Sequence, residues 1–255
     1  MPSPFDLAGE VALVTGAGGE LGRHFARVLA EAGAAVALIG RRAAPVAEEA
    51  ERLREIGFRA IGIVADVTQA HALAGACAEA EGELGPISIL VNNAGRTATV
   101  PALEVEEAAW DDILDTNLKG AWLMSRAMAR RWVEAKRPGN IINIASILGL
   151  RVASQVLPYA VSKAGLVQMT KALALEWARH DIRVNALAPG YILSDLNRDF
   201  LASEAGGALL KRIPQRRLGS LDDLTGPMLL LASRASAYMT GSVLTVDGGH
   251  LNSGL

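Results

Sequence analysis

Tyr159 and Lys163 stand four residues apart in a stretch of helical pattern, which places them on one face, one turn apart. An ammonium beside a phenol favours the phenolate and lowers its pKa. That turns a weak acid, ordinarily near ~10, into a general acid or base for neutral pH. Ser146 closes the preceding apolar run, where its hydroxyl can hold a substrate oxygen beside the phenol. The Tyr-x-x-x-Lys spacing also arises on helices that do no chemistry, so the pair needs company.

A second group of residues suits phosphate. An apolar run leads into Thr15-Gly16-Ala17-Gly18-Gly19-Glu20-Leu21-Gly22. Glycines let a backbone turn tightly and approach a pyrophosphate, and the helix that follows offers free N–H groups and a positive dipole end. Gly16 and Gly18 fit the first two places of G-x-G-x-x-G, while Leu21 holds the third. The next run ends in Gly40-Arg41-Arg42. In NAD-binding sheets an acidic residue about 20 positions past the glycines holds the ribose 2′-hydroxyl. Gly40 takes that place here, and the two arginines suit a 2′-phosphate, so NADP(H) is expected before NAD(H). Asn92-Asn93-Ala94-Gly95 ends a further run and reads either as a turn or as a ligand shelf.

These residues need a scaffold that brings distant run ends together. Short apolar runs at 11–14, 36–39, 60–64, 87–91, 140–145, 183–187 and 242–246 read as strands. Most are apolar throughout, the mark of strands covered on both faces. Helical patterns at 21–32, 43–56, 69–83, 104–136, 158–180 and 221–232 alternate with them. The alternation predicts an α/β fold, a doubly wound parallel sheet of about seven strands flanked by helices. No linker or shift in composition divides residues 1–255, so one domain is expected. Residues 191–220, with a helical piece near 196–211, interrupt the rhythm and read as a substrate lid beyond a strand end.

Composition narrows the function. The chain has 255 residues, 51% hydrophobic and 20% charged, which is ordinary for a globular protein and excludes a disordered one. A net charge of −2 offers nothing to nucleic acid or an anionic membrane. The one cysteine, Cys77, cannot form an internal disulfide and reads as a buried small hydrophobe. His24, His71, His180 and His250 lack metal-ligand spacing, so no metal site is expected. The start carries no secretory pattern and no run approaches the ~20 residues that cross a bilayer, so a cytoplasmic protein is expected.

Together these residues resemble the short-chain dehydrogenase/reductase family, on the branch of 3-oxoacyl-ACP reductases and gluconate 5-dehydrogenases. The resemblance runs from residue 11 to 249. In order it includes the Thr-Gly turn, Asp66-Val67, Asn-Asn-Ala-Gly, Asn117, Ser146, Tyr159-x-x-x-Lys163, Pro189-Gly190 and Val246-Asp247-Gly248-Gly249. It implies a Rossmann-type domain and an oxidoreductase interconverting a ketone and a secondary alcohol. Tyr159 would exchange the proton, Lys163 would tune it and bond the nicotinamide ribose, and Ser146 would orient the carbonyl. Asn117 would anchor a relay water. Asp66, beside Val67, would meet the adenine amine, and Asn93, with Ala94 and Gly95, the adenosine ribose side. Pro189, Gly190 and the Ile192 backbone would hold the nicotinamide, with Ser194 near its carboxamide. The family also implies a homotetramer, or a homodimer, through the two long helices that carry Trp110, Trp122, Trp132 and Trp177.

Two positions depart from the family pattern. Glu20 replaces the middle glycine of the first turn, and a carboxylate there would repel a pyrophosphate. It is expected to face solvent or to pair with Arg23 or Arg41. Ser194 stands where threonine is common, and it keeps the hydroxyl. Glu48-Glu49 and Arg130-Arg131 read as solvated helix faces. Ile147, Leu148, Val152, Val156, Leu157 and Ile192 suggest an apolar pocket with Thr97, Arg151 and Gln155, hence a hydrophobic or mid-sized carbonyl substrate. Arg151 could instead meet an anionic substrate or water, and His250 is left unassigned. Two other functions compete: an NAD-linked dehydrogenase of a sugar, polyol or other hydroxy compound, and a dinucleotide-sensing protein without turnover.

Overall fold

The computed structural model describes residues 3–193 and 204–253. Seven strands form one parallel sheet: β1 (Val11–Thr15), β2 (Ala35–Gly40), β3 (Ala60–Val64), β4 (Ile89–Asn92), β5 (Gly139–Ile144), β6 (Ile182–Pro189) and β7 (Val243–Val246). Their order is β3-β2-β1-β4-β5-β6-β7. The chain winds outward from β1 to β3, then returns to the other side of β1 at β4. At such a reversal the connections leave in opposite directions and open a crevice at the strand C-terminal ends.

Helices cover both faces: α1 (Glu20–Glu31), α2 (Ala43–Glu55), α3 (Ala70–Leu84), α4 (Glu107–Leu114), α5 (Gly120–Glu134), α6 (Leu157–Trp177), α7 (Glu204–Arg212) and α8 (Thr225–Ala232). Period-two alternation divides each central strand between two cores. Ala12 and Val14 of β1 pack with Phe25 and Leu29 of α1 and with Met228 and Leu231 of α8. Val11 and Leu13 face the other way, towards Leu73 and Cys77 of α3, Met124, Met128 and Trp132 of α5 and Leu173 of α6. Burial on both faces explains why the central strands read as unbroken apolar runs. The edge strand β7 is only half-buried along its length, unlike the runs in the middle of the sheet.

The expected single helix over 104–136 is not one helix. A 3-10 turn (Ala102–Glu104) precedes α4, and a π-turn at Asp115–Lys119 separates α4 from α5. The Gly120 N–H reaches back five residues to the Asp115 carbonyl. One extra residue in a turn slips the side-chain register by roughly 100°, which leaves apolar spacing on either side intact and hides the break from periodicity. Gly120 sits under Val67, where a Cβ would lie 2.7 Å from the Val67 Cγ2. No described helix is long and apolar enough to cross a membrane.

Glu49 corrects the reading of Glu48-Glu49 as solvated. It is 2% exposed, and its carboxylate lies 3.7 Å from both Arg27 and Arg52. Helix α2 turns this position inward against α1, and the two arginines supply the counter-charge that burial demands. Likewise Arg131 is half-buried and paired with Glu81 of α3, so only Arg130 faces water.

Candidate active site

A cleft of about 860 Å³ opens where β1 and β4 part. One wall is the first turn, with Gly16, Gly18, Gly19, Glu20, Leu21 and Gly22 all lining it. Gly16 has φ +66°, and a Cβ there would fall 2.7 Å from the Ala94 Cα. The turn therefore lies flat against the end of β4, and only glycine permits it. Gly19 caps α1 with no side-chain hydrogen bond, so the first N–H groups of the helix stay open to the cleft.

Thr15 fastens the two strand ends. It is 1% exposed, and its hydroxyl donates to the Val91 carbonyl at 3.3 Å and accepts from the Asn93 and Ala94 N–H groups at 3.0 Å each. The Asn93 amide returns the contact, donating to the Thr15 carbonyl at 3.0 Å and the Gly16 carbonyl at 3.3 Å. The family resemblance implies Asn93 as a ribose neighbour; its side chain ties the turn together while the residue still lines the cleft. The end of β2 adds Gly40, Arg41 and Arg42, and the end of β3 adds Asp66 and Val67. Asp66 Oδ1 accepts from Thr68 N at 2.9 Å, while Oδ2 lies 4.0 Å from Arg41.

The far end of the cleft is lined by Ser146, Tyr159, Lys163, Pro189, Gly190 and Ile192. Ser146 extends from β5, and its Oγ accepts from the Leu148 N–H at 3.1 Å, which leaves its own proton for another acceptor. Its nearness to the Tyr159 phenol favours the phenolate, but burial outweighs this and pushes the Tyr159 pKa up. Lys163 is 4% exposed, and its Nζ donates to the Ile144 carbonyl at 2.6 Å, 5.6 Å from the centre of the Tyr159 ring. Burial lowers its pKa to about 8. The ammonium is turned to a main-chain carbonyl and both groups are desolvated, so in this structure burial holds the Tyr159 pKa above its ordinary value rather than below it.

Asn117 stands one residue behind the lining, where its neighbour Thr116 meets the cleft. The π-turn points its side chain at Arg96 and α6. Its Oδ1 accepts from Arg96 N at 2.7 Å, and its Nδ2 donates to the Arg96 carbonyl at 2.9 Å and Ser162 Oγ at 3.0 Å. Ser162 donates in turn to the Tyr159 carbonyl at 2.7 Å. Sequence reasoning passed over Ser162 and the hydroxyl of Thr15. The available signal was a polar residue at a core-facing position beside a candidate catalytic one.

The remaining candidates separate. Ser194 lies outside the described residues. Glu20 is exposed and forms no ion pair with Arg23 or Arg41 among the described residues; Arg41 faces Asp66 instead. Of the expected apolar pocket only Ile192 lines the cleft, with Thr97. Ile147 is buried in the core and Val152 is 85% exposed, because the 3-10 turn Ile147–Gly149 folds the segment away. No group of three or more His, Cys, Asp or Glu among the described residues could hold a metal ion.

Residues 16–250 match the family model described as enoyl-(acyl carrier protein) reductase. The chain belongs to the short-chain dehydrogenase/reductase family. It is an NAD(P)-dependent oxidoreductase of CH–OH and C=O groups, which sets aside a sensor without turnover. The chain is 40% identical over 250 residues to the 2-dehydro-3-deoxy-D-gluconate 5-dehydrogenase of Escherichia coli K12, covering 98% of each chain. A crystal structure of gluconate 5-dehydrogenase from Burkholderia cenocepacia, in complex with NADP and tartrate, superposes with TM-score 0.93 at 38% identity, covering 98% of both chains. A short-chain type dehydrogenase/reductase from Mycobacterium marinum superposes with TM-score 0.90 at 40% identity, covering 96% of this chain and 97% of that one.

Proposed function

We propose that this protein is an NADP(H)-preferring dehydrogenase that interconverts a secondary alcohol and a ketone on a sugar acid. The observation that carries the reading is one continuous cleft with Arg41 and Arg42 at one end and Ser146, Tyr159 and Lys163 at the other. The cradle fits a dinucleotide: Gly16 lets the first turn pack flat on Ala94, α1 leaves N–H groups open, and Gly40 presents no acidic side chain. Arg41 and Arg42 would hold the 2′-phosphate, Asp66, Val67, Asn93, Ala94 and Gly95 the adenosine half, and Pro189, Gly190, Ile192 and Ser194 the nicotinamide. The bound nucleotide supplies the hydride.

The chain supplies the proton and its control. In ketone reduction Tyr159, kept neutral by burial, donates from its phenol to the substrate oxygen. Ser146, its lone pair already engaged by Leu148 N, donates to the same oxygen as negative charge grows there. Lys163 supplies the positive charge that the resulting phenolate needs. Asn117 positions Tyr159 through Ser162 and lies along the route for proton exchange with water. The names of the E. coli and B. cenocepacia relatives support the sugar-acid class over an apolar carbonyl, and so does the displacement of the apolar residues from the cleft.

The exposed apolar residues Trp122 and Val133 on α5 and Val161 and Leu175 on α6 fit burial between copies, as in a homotetramer. A cytoplasmic site belongs to the same reading. The test is a rate measurement with NADP⁺ and NAD⁺ against aldonic acids, neutral polyols and apolar alcohols. Fastest turnover of an aldonic acid with NADP⁺ is expected. A preference for apolar alcohols would overturn the substrate class, and a preference for NAD⁺ the cofactor assignment. Tyr159→Phe should cut turnover by about 10²–10⁴-fold while NADPH binding persists.

A further inference from the structure

Among the described residues the cleft is lined by two acidic side chains, Glu20 and Asp66. Asp66 is engaged. It accepts from Thr68 N at 2.9 Å and from Thr68 Oγ1 at 2.8 Å, and it lies 4.0 Å from Arg41. Glu20 is exposed, and its carboxylate has no ion pair or hydrogen bond among the described residues. It is the one acidic group of the cleft left without a counter-charge.

Glu20 opens α1, directly after the extended Gly19. The Gly19 N–H turns back to the Gly16 carbonyl at 3.1 Å, and the Arg23 N–H takes the Gly19 carbonyl at 3.0 Å. The N–H groups between them, of Glu20, Leu21 and Gly22, have no main-chain acceptor among the described residues. All three of these residues line the cleft, so their donors suit the pyrophosphate of a dinucleotide. The residue that offers the first donor therefore carries a carboxylate within one side-chain length of the bound anion. That is inside the ~10 Å over which charges stay coupled in 0.1 M salt. Whichever way the exposed side chain turns, like charge opposes binding. In the free protein the same carboxylate is favourable, because it sits at the positive end of the α1 dipole.

We propose that Glu20 limits the affinity of the cofactor site: its charge loosens the hold of α1 on the pyrophosphate and speeds release of the used nucleotide. This rests on the dinucleotide reading of the cleft given above. NADPH and NADH carry the same pyrophosphate, so Glu20 weakens both alike and leaves the choice between them to Arg41 and Arg42. Those arginines, at the end of β2, supply the attraction that offsets the repulsion at the turn.

The test is fluorescence titration of the full chain and its Glu20→Gln and Glu20→Asp variants with NADPH and with NADH, joined to stopped-flow displacement of bound NADPH. Glu20 is exposed, so neither variant disturbs packing. At low salt Glu20→Gln should lower Kd for both nucleotides by one common factor, about three- to tenfold, through slower dissociation. Glu20→Asp keeps the charge and should bind as the wild type does. In about 1 M NaCl, where the screening length is ~3 Å, the gap between wild type and Glu20→Gln should close. Unchanged or weaker binding by Glu20→Gln would overturn the role. So would tightening confined to NADPH, which would set the carboxylate against the 2′-phosphate instead. Equal tightening by Glu20→Asp would make bulk rather than charge the cause and overturn it as well. Added Mg²⁺ that tightens the wild type but not Glu20→Gln would make Glu20 a cation ligand that supports binding, again overturning it. Failure of all three proteins to bind either nucleotide would overturn the dinucleotide reading itself.

Discussion

The Lys163 ammonium is tied to the Ile144 carbonyl at 2.6 Å, while the Tyr159 ring centre lies 5.6 Å away. Ile144 ends β5, and the next two residues lead to Ser146. One strand end therefore places both Ser146, the serine proposed to meet the substrate oxygen, and the acceptor that anchors the lysine. Both side chains on α6 are desolvated, and burial moves their pKa values in opposite directions, Tyr159 up and Lys163 down.

The pH dependence of ketone reduction follows from the lowered pKa of Lys163. Below about 8 the side chain is an ammonium and can stabilise the phenolate left on Tyr159 after proton transfer. As pH rises through about 8 it becomes a neutral amine and that stabilisation is lost. The rate kcat/KM for reduction should therefore fall with one ionisation near that pH. Lys163→Met should be slower by about 10²-fold or more and lack this ionisation. A wild-type profile flat from pH 7 to about 9 would contradict the assignment.

Cofactor choice should depend on Arg41 more than on any other exposed charge. Arg41→Ala should raise the Kd for NADPH about tenfold and leave NADH within about twofold. Gly40→Asp introduces the acidic residue that a ribose 2′-hydroxyl calls for, but its Cβ would lie 2.8 Å from Val46 Cγ1. The single variant should thus lose thermal stability as well as NADPH affinity, and Gly40→Asp with Val46→Ala should recover the stability while keeping the shift towards NADH. Fluorescence titration and thermal melts separate the two effects.

Much of this arrangement could be read from the chain, for identifiable reasons. The central strands were legible because burial on both faces leaves unbroken apolar runs, and the first turn because its glycines answer to steric need. Asn117 was legible only as a motif; the π-turn that aims it follows from an inserted residue that apolar periodicity does not register. Glu49 looked solvated because a Glu-Glu pair usually is, and its burial depends on Arg27 from another helix. The apolar run at 147–157 misled because a 3-10 turn buries Ile147 and turns Val152 outward. The pairing of Lys163 with Ile144 needs three dimensions, since a main-chain carbonyl has no sequence signature.

Thr15 should matter to the cofactor although it does not line the cleft. Its hydroxyl is the acceptor for the Ala94 N–H, which has no other partner among the described residues. Thr15→Val keeps the shape and removes that acceptor, leaving a buried donor unpaired at a cost of about 1–3 kcal/mol. Because Ala94 packs on Gly16, NADPH affinity should fall together with the melting temperature. Thr15→Ser keeps the hydroxyl and should restore both. Loss of stability with unchanged NADPH affinity would show that the clamp does not shape the turn.

Gly139 sets the limit on packing beneath the site. It opens β5, and a Cβ there would fall 2.1 Å from the Trp132 ring. Trp132 cannot swing away, since it is 2% exposed and its indole N–H donates to the Ile87 carbonyl at 2.7 Å. Gly139→Ala must therefore displace the ring or bend the strand, at a cost of about 3 kcal/mol. For a chain of this size that lowers the melting temperature by about 6–12 °C. Trp132→Leu costs stability on its own through lost volume, yet it opens the space that the added methyl group needs. The double variant should accordingly be more stable than the sum of the two single losses predicts. Strict additivity, measured by thermal melts of all four proteins, would show that the ring and the strand do not compete for that space.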